Sequence, residues 1–138
     1  MSIVQAIPTS FKAECMQGVH TSADVYKMAL YTSAATLSAA TTTYTTVGEV
    51  VGTGYTAGGV TLNGIQVVTD GTTTILDWTT DPSWTNATIT ARGALIYNSS
   101  KANRAVYVLD FTADKTSTDG TFAVFFPAPT ASSGLVRF

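Results

Sequence analysis

From Asp24 onward the sequence takes on the period of two that marks β-strands. In "DVYKMALYT", Tyr26, Met28 and Leu30 fall on one side of a strand and Val25, Lys27 and Ala29 on the other. Both sides are fairly apolar, which predicts an inner strand. Two β-rich runs, Val60 to Thr69 and Thr72 to Trp78, flank Asp70-Gly71, a dipeptide favoured in two-residue hairpin turns. "TTDPSW" then breaks the pattern at Asp81-Pro82. The strongest runs follow: "NATITARGALIY" and "RAVYVLDFT" joined by "NSSKAN", then "GTFAVFFPA" after a turn at Thr118-Asp119-Gly120, and finally "GLVRF". In "GTFAVFFPA", Phe122, Val124 and Phe126 share one face and Ala123 and Phe125 the other, which predicts a sheet covered on both sides there.

Only "PTSFKAECMQG" has a helical character. Thr9 or Ser10 can cap it, Phe11 and Cys15 share a face, and Gly18 can end it. The stretch "SAATLSAATTTYTTVGEV" has no helical stripe, and its β-branched threonines disfavour a helix, so it predicts a long surface loop entering a short strand near Gly48 to Val51. About eight strands and one short helix predict a mainly β fold: a single domain over residues 1–138, built as a β-sandwich or a jelly-roll-like barrel. Residues 1–8 precede the helix as an extended arm.

The glycine-rich run "VGEVVGTGYTAGGVTLNG" invites a phosphate-loop reading. Such a loop needs a helix after it, and the runs that follow are β; the spacing also fits neither GxGxxG nor GxxxxGK[ST]. These glycines therefore predict bends: kinks at Gly48, Gly52 and Gly54, and a turn at Gly58-Gly59 leading back into Val60 to Leu62.

Composition narrows the function. The protein has 138 residues, of which 45% are hydrophobic and only 12% charged, with threonine, serine and alanine covering much of the rest. A net charge of -2, with the seven basic residues scattered, gives no footprint for direct nucleic-acid binding. No apolar run approaches the length that spans a bilayer, and "MSIVQAIPTSFK" does not read as a secretion signal, so synthesis in a cytoplasm is expected. The sequons at Asn86 and Asn98 then read as chance matches in a Thr- and Ser-rich sequence.

Candidate chemistry is thin. Cys15 is the only cysteine and reads as a buried thiol; His20 is the only histidine and reads as a capping or packing residue. Asp70, Asp77, Asp81, Asp114 and Asp119 sit where turns place carboxylates, without an EF-hand pattern or a paired-carboxylate motif. Trp78, Trp84 and Tyr97 could form a sugar platform but read better as core. Arg92 is expected to pair with a carboxylate such as Asp77 or Asp110, or to meet a second subunit. No cofactor, metal site or catalytic constellation is predicted.

Five segments, "IPTSFKAECMQGVH", "VYKMALYTSAATL", "TTYTTVGEVVGTGYTAGGVTL", "WTNATITARGALIYN" and "AVYVLDFTADKTSTDGTFAVFFP", resemble in that order a family of small virion proteins of tailed bacteriophages. "GYTAGG" followed by "NATITARGALIYN" is the most specific part. "AECMQGVHTSADVY" is more polar than the family pattern. The resemblance implies a non-enzymatic structural component of the particle. One such role is a capsid cement or decoration protein that binds the outer face of the shell and clamps neighbouring capsomers; others are a tail, adaptor or fibre component, and a host-glycan-binding module is a further alternative. The implied partner is the major capsid protein, or tail proteins, with a trimer or dimer multiplying modest contacts. The arm, the Ser33 to Thr46 loop and the C-terminal strand Gly134 to Phe138 are the expected contact elements. Ile3, Val4, Ile7, Leu37, Tyr44, Tyr55, Arg92, Val136 and Phe138 are the candidate contact residues.

Overall fold

A computed structural model describes residues 2–138. Met1, part of the expected arm, lies outside the described residues. One helix, α1 (Thr9–Met16), is followed by seven strands: β1 (Tyr26–Tyr31), β2 (Val60–Thr61), β3 (Ile65–Asp70), β4 (Thr73–Trp78), β5 (Ser83–Asn98), β6 (Arg104–Ala123) and β7 (Val136–Arg137). They form two antiparallel sheets, ordered β2-β1-β5-β6 and β3-β4-β7. The fold is mainly β and sandwich-like, with one short helix.

The period-two pattern of β1 explains the layering. Met28 and Leu30, with Ala94 and Ile96 of β5, pack with Leu76 and Trp78 of β4 and Val136 of β7 in one core. The opposite face carries Ala29, Tyr31, Leu95, Tyr97 and Ala105, and it is buried too, under Ile3, Ala35 and Leu37. The inner-strand expectation for β1 therefore holds, and the cover on its second face comes from irregular segments. Ile3 and Leu37 bridge in parallel, while Ala6 bridges Val108 and Thr43 bridges Arg104 on the outer side of β6. Arm and loop together close part of the edge that β6 would otherwise expose. The Ser33 to Thr46 segment, expected as a surface loop, thus also supplies core, because Leu37 finds an uncovered apolar sheet face within reach.

Several boundaries differ from those expected. The run from Val60 to Thr69 divides: β2 pairs with β1 in one sheet, and β3 pairs with β4 in the other, with Leu62, Asn63 and Gly64 crossing between them. Asp70 pairs with Thr73, so the hairpin turn is Gly71-Thr72, one residue later than Asp70-Gly71. Gly71 takes the positive φ, +62°, that the first turn position demands, and this leaves Asp70 to accept the Ala131 N–H at 2.7 Å. Near Gly48 to Val51 there is a single bridge, Tyr31 to Glu49, in place of a strand.

Thr118-Asp119-Gly120 is not a turn. β6 runs straight through it, with Gly120 opposite Ala87 and Asp119 at φ +46° in a shifted register. Asp adopts the left-handed region more readily than most residues, so the same side chain suits a turn or a bulge. A second irregularity falls between Ala91 and Gly93, where Thr112 of β6 takes φ +67°. The expected meander is therefore one long β5–β6 hairpin. Near its end Phe122 is buried, and just past it Val124 and Phe126 pack on the core, but Phe125 is 80% exposed, so that segment is covered on one face only.

Helix α1 starts after Pro8 and receives no hydrogen bond from a capping side group, so neither Thr9 nor Ser10 caps it. Proline at this position has φ preset and no N–H to satisfy. Gly18, φ +71°, ends it, and its N–H donates to the Cys15 carbonyl at 3.2 Å. The buried face is Phe11 with Glu14, not Phe11 with Cys15; Cys15 is exposed, contrary to expectation. Glu14 turns inward because His20 and Arg104 await its carboxylate.

Candidate functional site

Two polar clusters and one apolar surface stand out. The first gathers at the base of α1. Glu14 Oε1 lies 2.9 Å from His20 Nε2, and Glu14 Oε2 accepts from Arg104 Nη1 at 2.7 Å. The fully buried Asn98 donates one amide hydrogen to Asp24 Oδ2 at 2.8 Å and faces His20 Nδ1 at 2.9 Å, while its oxygen accepts the Ser100 N–H. With both amide hydrogens committed, His20 Nδ1 is the acceptor and Nε2 carries the ring proton toward Glu14. Burial acts to raise the Glu14 carboxyl, yet the bonds from His20 and Arg104 outweigh it and hold the group below its ordinary range.

Chemically this cluster is closed. Both imidazole nitrogens are engaged, so neither is free to take a proton from a bound molecule, and the ring packs tilted against Phe11 with centroids 4.8 Å apart. His20 is thus the packing residue its position suggests, with a polar frame around it. Asp24 holds Lys101 Nζ at 2.8 and 2.9 Å, which ties the β1 approach to the β5–β6 connection.

The second cluster surrounds Glu49, a buried carboxylate bridged to β1. Its Oε1 accepts the Tyr44 hydroxyl at 2.7 Å; its Oε2 accepts the Tyr55 hydroxyl at 2.5 Å and the Gly58 N–H at 2.8 Å. Tyr97 stacks on Tyr44 at 4.8 Å and donates to the Gly58 carbonyl. Burial, with Glu49 beside them, pushes the Tyr44 and Tyr55 phenols well above their usual range, so both stay protonated donors. Sequence reasoning missed Glu49; its only signal was its place midway between Tyr44 and Tyr55.

The aromatic platform does not form. Trp78, Trp84 and Tyr97 are all buried, in two different cores. Arg92 pairs with Asp110 at 3.1 Å, one of the two carboxylates expected; the other, Asp77, is buried and accepts the Trp78 N–H. Among the described residues no group of three or more His, Cys, Asp or Glu side chains is placed to hold a metal ion, and no helix is long and apolar enough to cross a membrane.

The nine candidate contact residues separate. Ile3, Leu37 and Val136 are buried in the protein's own core. Ile7 is half-buried against the core, Tyr44 and Tyr55 are bound to Glu49, and Arg92 is half-buried with Asp110. Val4 and Phe138 remain exposed. A further apolar surface, not anticipated, lies along the distal half of β6 and the residues just past it: a cavity of about 470 Å³ lined by Phe111, Phe122, Val124 and the exposed Phe125, with Lys115 and Thr121 at its polar side. Comparison with protein-family models, curated proteins and solved structures gives no match to this protein.

Proposed function

We propose that this protein is a non-enzymatic structural component of a tailed-phage virion, and specifically a capsid cement protein that binds the outer face of the shell. The resemblance of the five segments motivates the reading. The observation that carries it furthest is the Phe125 surface: a large aromatic side chain, 80% exposed beside a Phe-lined cavity, on a molecule whose surface is otherwise threonine-rich and sparsely charged. Apolar surface with a polar rim that carries a single cation, Lys115, suits a protein partner better than a nucleic acid, which needs clustered basic groups. The closed state of the His20 and Glu49 clusters fits a scaffold better than a reaction centre.

The arm is no longer the best contact element, since Ile3 is buried in the protein's own core and Ala6 bridges the edge strand β6. Phe125 and Phe138 replace it. The decisive experiment is the copy number of the protein in purified virions relative to the major shell protein, by calibrated mass spectrometry, followed by decoration of shells with Phe125→Asp. A copy number near that of the shell protein and lost decoration at unchanged melting temperature support cement. A copy number that is a small fraction of the shell protein's moves the protein to the tail, and total absence from virions overturns the virion reading.

A further inference from the structure

The geometry points to Asn63-Gly64 as a self-modification site, at which the protein turns its own asparagine into isoaspartate and aspartate through a succinimide. Of the four asparagines, Asn63, Asn86, Asn98 and Asn103, only Asn63 precedes glycine. Both Asn63 and Gly64 are exposed. With no Cβ on residue 64, its nitrogen is open to approach by the preceding side chain. Among the described residues that N–H meets no acceptor, so nothing holds it away from the reaction.

The other three asparagines lack this opening. The N–H after Asn98 donates to the Val25 carbonyl at 2.9 Å, and the N–H after Asn103 donates to the Lys101 carbonyl at 3.2 Å. Ala87, after Asn86, is buried in the β5–β6 ladder opposite Gly120. Asn98 is itself fully buried.

The step balances without an added reagent beyond water and base. Base removes the Gly64 amide proton, the nitrogen forms a bond to Asn63 Cγ, and the Cγ–Nδ2 bond breaks with ammonia leaving. Water then opens the ring. Attack at Cγ gives aspartate; attack at the backbone carbonyl of residue 63 leaves Gly64 attached through Cγ, which is isoaspartate. The Thr80 N–H donates to that backbone carbonyl oxygen at 3.3 Å and polarises it, favouring the second opening.

The position gives the change a structural consequence. Leu62, Asn63 and Gly64 are the crossover from β2 in one sheet to β3 in the other. The crossover is fixed at both ends: the Leu62 N–H donates to the Tyr26 carbonyl, and the Gly64 carbonyl accepts the Thr79 N–H. Isoaspartate inserts a methylene into the backbone between those anchors. It also adds a negative charge on a cavity of about 230 Å³ that Asn63 shares with Thr80 and Asp81. Gly64 cannot be exchanged freely to prevent this, because its φ is +75° and a Cβ would fall 1.8 Å from Thr79 Oγ1.

The test incubates the full-length protein at mildly alkaline pH and follows each asparagine by peptide mass spectrometry with isoaspartate-diagnostic fragmentation, beside a urea-denatured sample. The expected result is conversion at Asn63 at least an order of magnitude faster than at the other three in the native protein, with isoaspartate the main product. The converted fraction should melt at a lower temperature than unconverted protein, and Asn63→Asp, which adds charge without lengthening the backbone, should shift melting less. Native Asn63 that stays an amide while the denatured sample reacts there overturns the proposal, as does equal conversion at all four sites.

Discussion

The Tyr44 hydroxyl donates a 2.7 Å hydrogen bond to Oε1 of Glu49, and the two residues close a loop over the outer face of the four-stranded sheet. Because Tyr55 and Gly58 donate to the other oxygen, one carboxylate organises three points between Tyr44 and Gly58. Glu49→Ala strips the acceptor from all three part-buried donors and should cost about 3 kcal/mol in all, about 1 kcal/mol for each hydrogen bond lost to a charged acceptor. For a protein of this size that is a fall in melting temperature of about 10 °C, read by calorimetry. Glu49→Gln keeps one oxygen and should lose less; equal stability of Glu49→Ala and wild type would refute the role of the cluster.

The turn at Gly58-Gly59 gives a graded test. Both residues have positive φ, +97° and +77°, but their surroundings differ. A Cβ on residue 58 would sit 3.4 Å from the Tyr97 hydroxyl, an ordinary contact, whereas one on residue 59 would fall 1.7 Å from the Met28 carbonyl oxygen. Gly58→Ala should therefore cost about 1–2 kcal/mol, the left-handed penalty alone. Gly59→Ala should cost more, because β1 must move. Thermal unfolding of the two variants that ranked them in the reverse order would contradict this geometry.

What the sequence made legible was whatever its local pattern controls. Tyr26 to Tyr31 reads as an inner strand because both its faces are apolar, and β1 does lie between β2 and β5. Gly58 and Gly59 read as a turn because glycine alone is at ease with their φ. Asp119-Gly120 misleads because the left-handed residue it supplies serves a bulge as well as a turn, and the choice depends on whether β5 continues opposite. Leu37 sits among threonines and alanines with no period, so its burial depends on a sheet face distant in sequence. Glu49, set between glycine and valine, becomes a site only when Tyr44 and Tyr55 converge on it. The candidate contact residues in the arm, the Ser33 to Thr46 loop and the C-terminal strand are almost all apolar, and hydrophobicity alone does not tell the protein's own core, where Ile3, Leu37 and Val136 lie, from a partner's surface.

Cys15 provides a direct check on the helix face. Since Glu14, and not Cys15, turns toward the core, the thiol is exposed and should react completely with a thiol reagent in the native protein. The reaction should be slow near neutral pH: partial burial of the sulfur, with the Glu14 carboxylate beside it, pushes the thiol above its usual range and keeps thiolate scarce. The rate should climb with pH. A thiol that reacts only after denaturation would put Cys15 back inside and rotate α1 from the position described.

Two aspartates should act on stability in opposite directions. Burial works to raise the Asp24 carboxyl, but the Lys101 ammonium, the Asn98 amide and the Thr21 N–H outweigh it and bring it from 3.8 to about 2. A group whose folded value lies below its unfolded value favours the native state above the unfolded value. That contribution is lost as pH falls from near 3.8 toward about 2. At Asp77 the sign reverses. Burial is foremost and, with Asp81 nearby, raises the carboxyl despite the Trp78 N–H, so the native state is penalised once the pH exceeds the unfolded value. Asp77→Asn, which can still accept the Trp78 N–H, should therefore raise the melting temperature near neutral pH and leave it unchanged in acid below the ordinary carboxyl range. Asp24→Asn should lower it near neutral pH and flatten the acid limb. Melting temperatures of the three proteins across that range decide the matter; an Asp77→Asn variant less stable than wild type at neutral pH would mean that the Asp77 carboxylate is stabilised by its surroundings and not opposed by them.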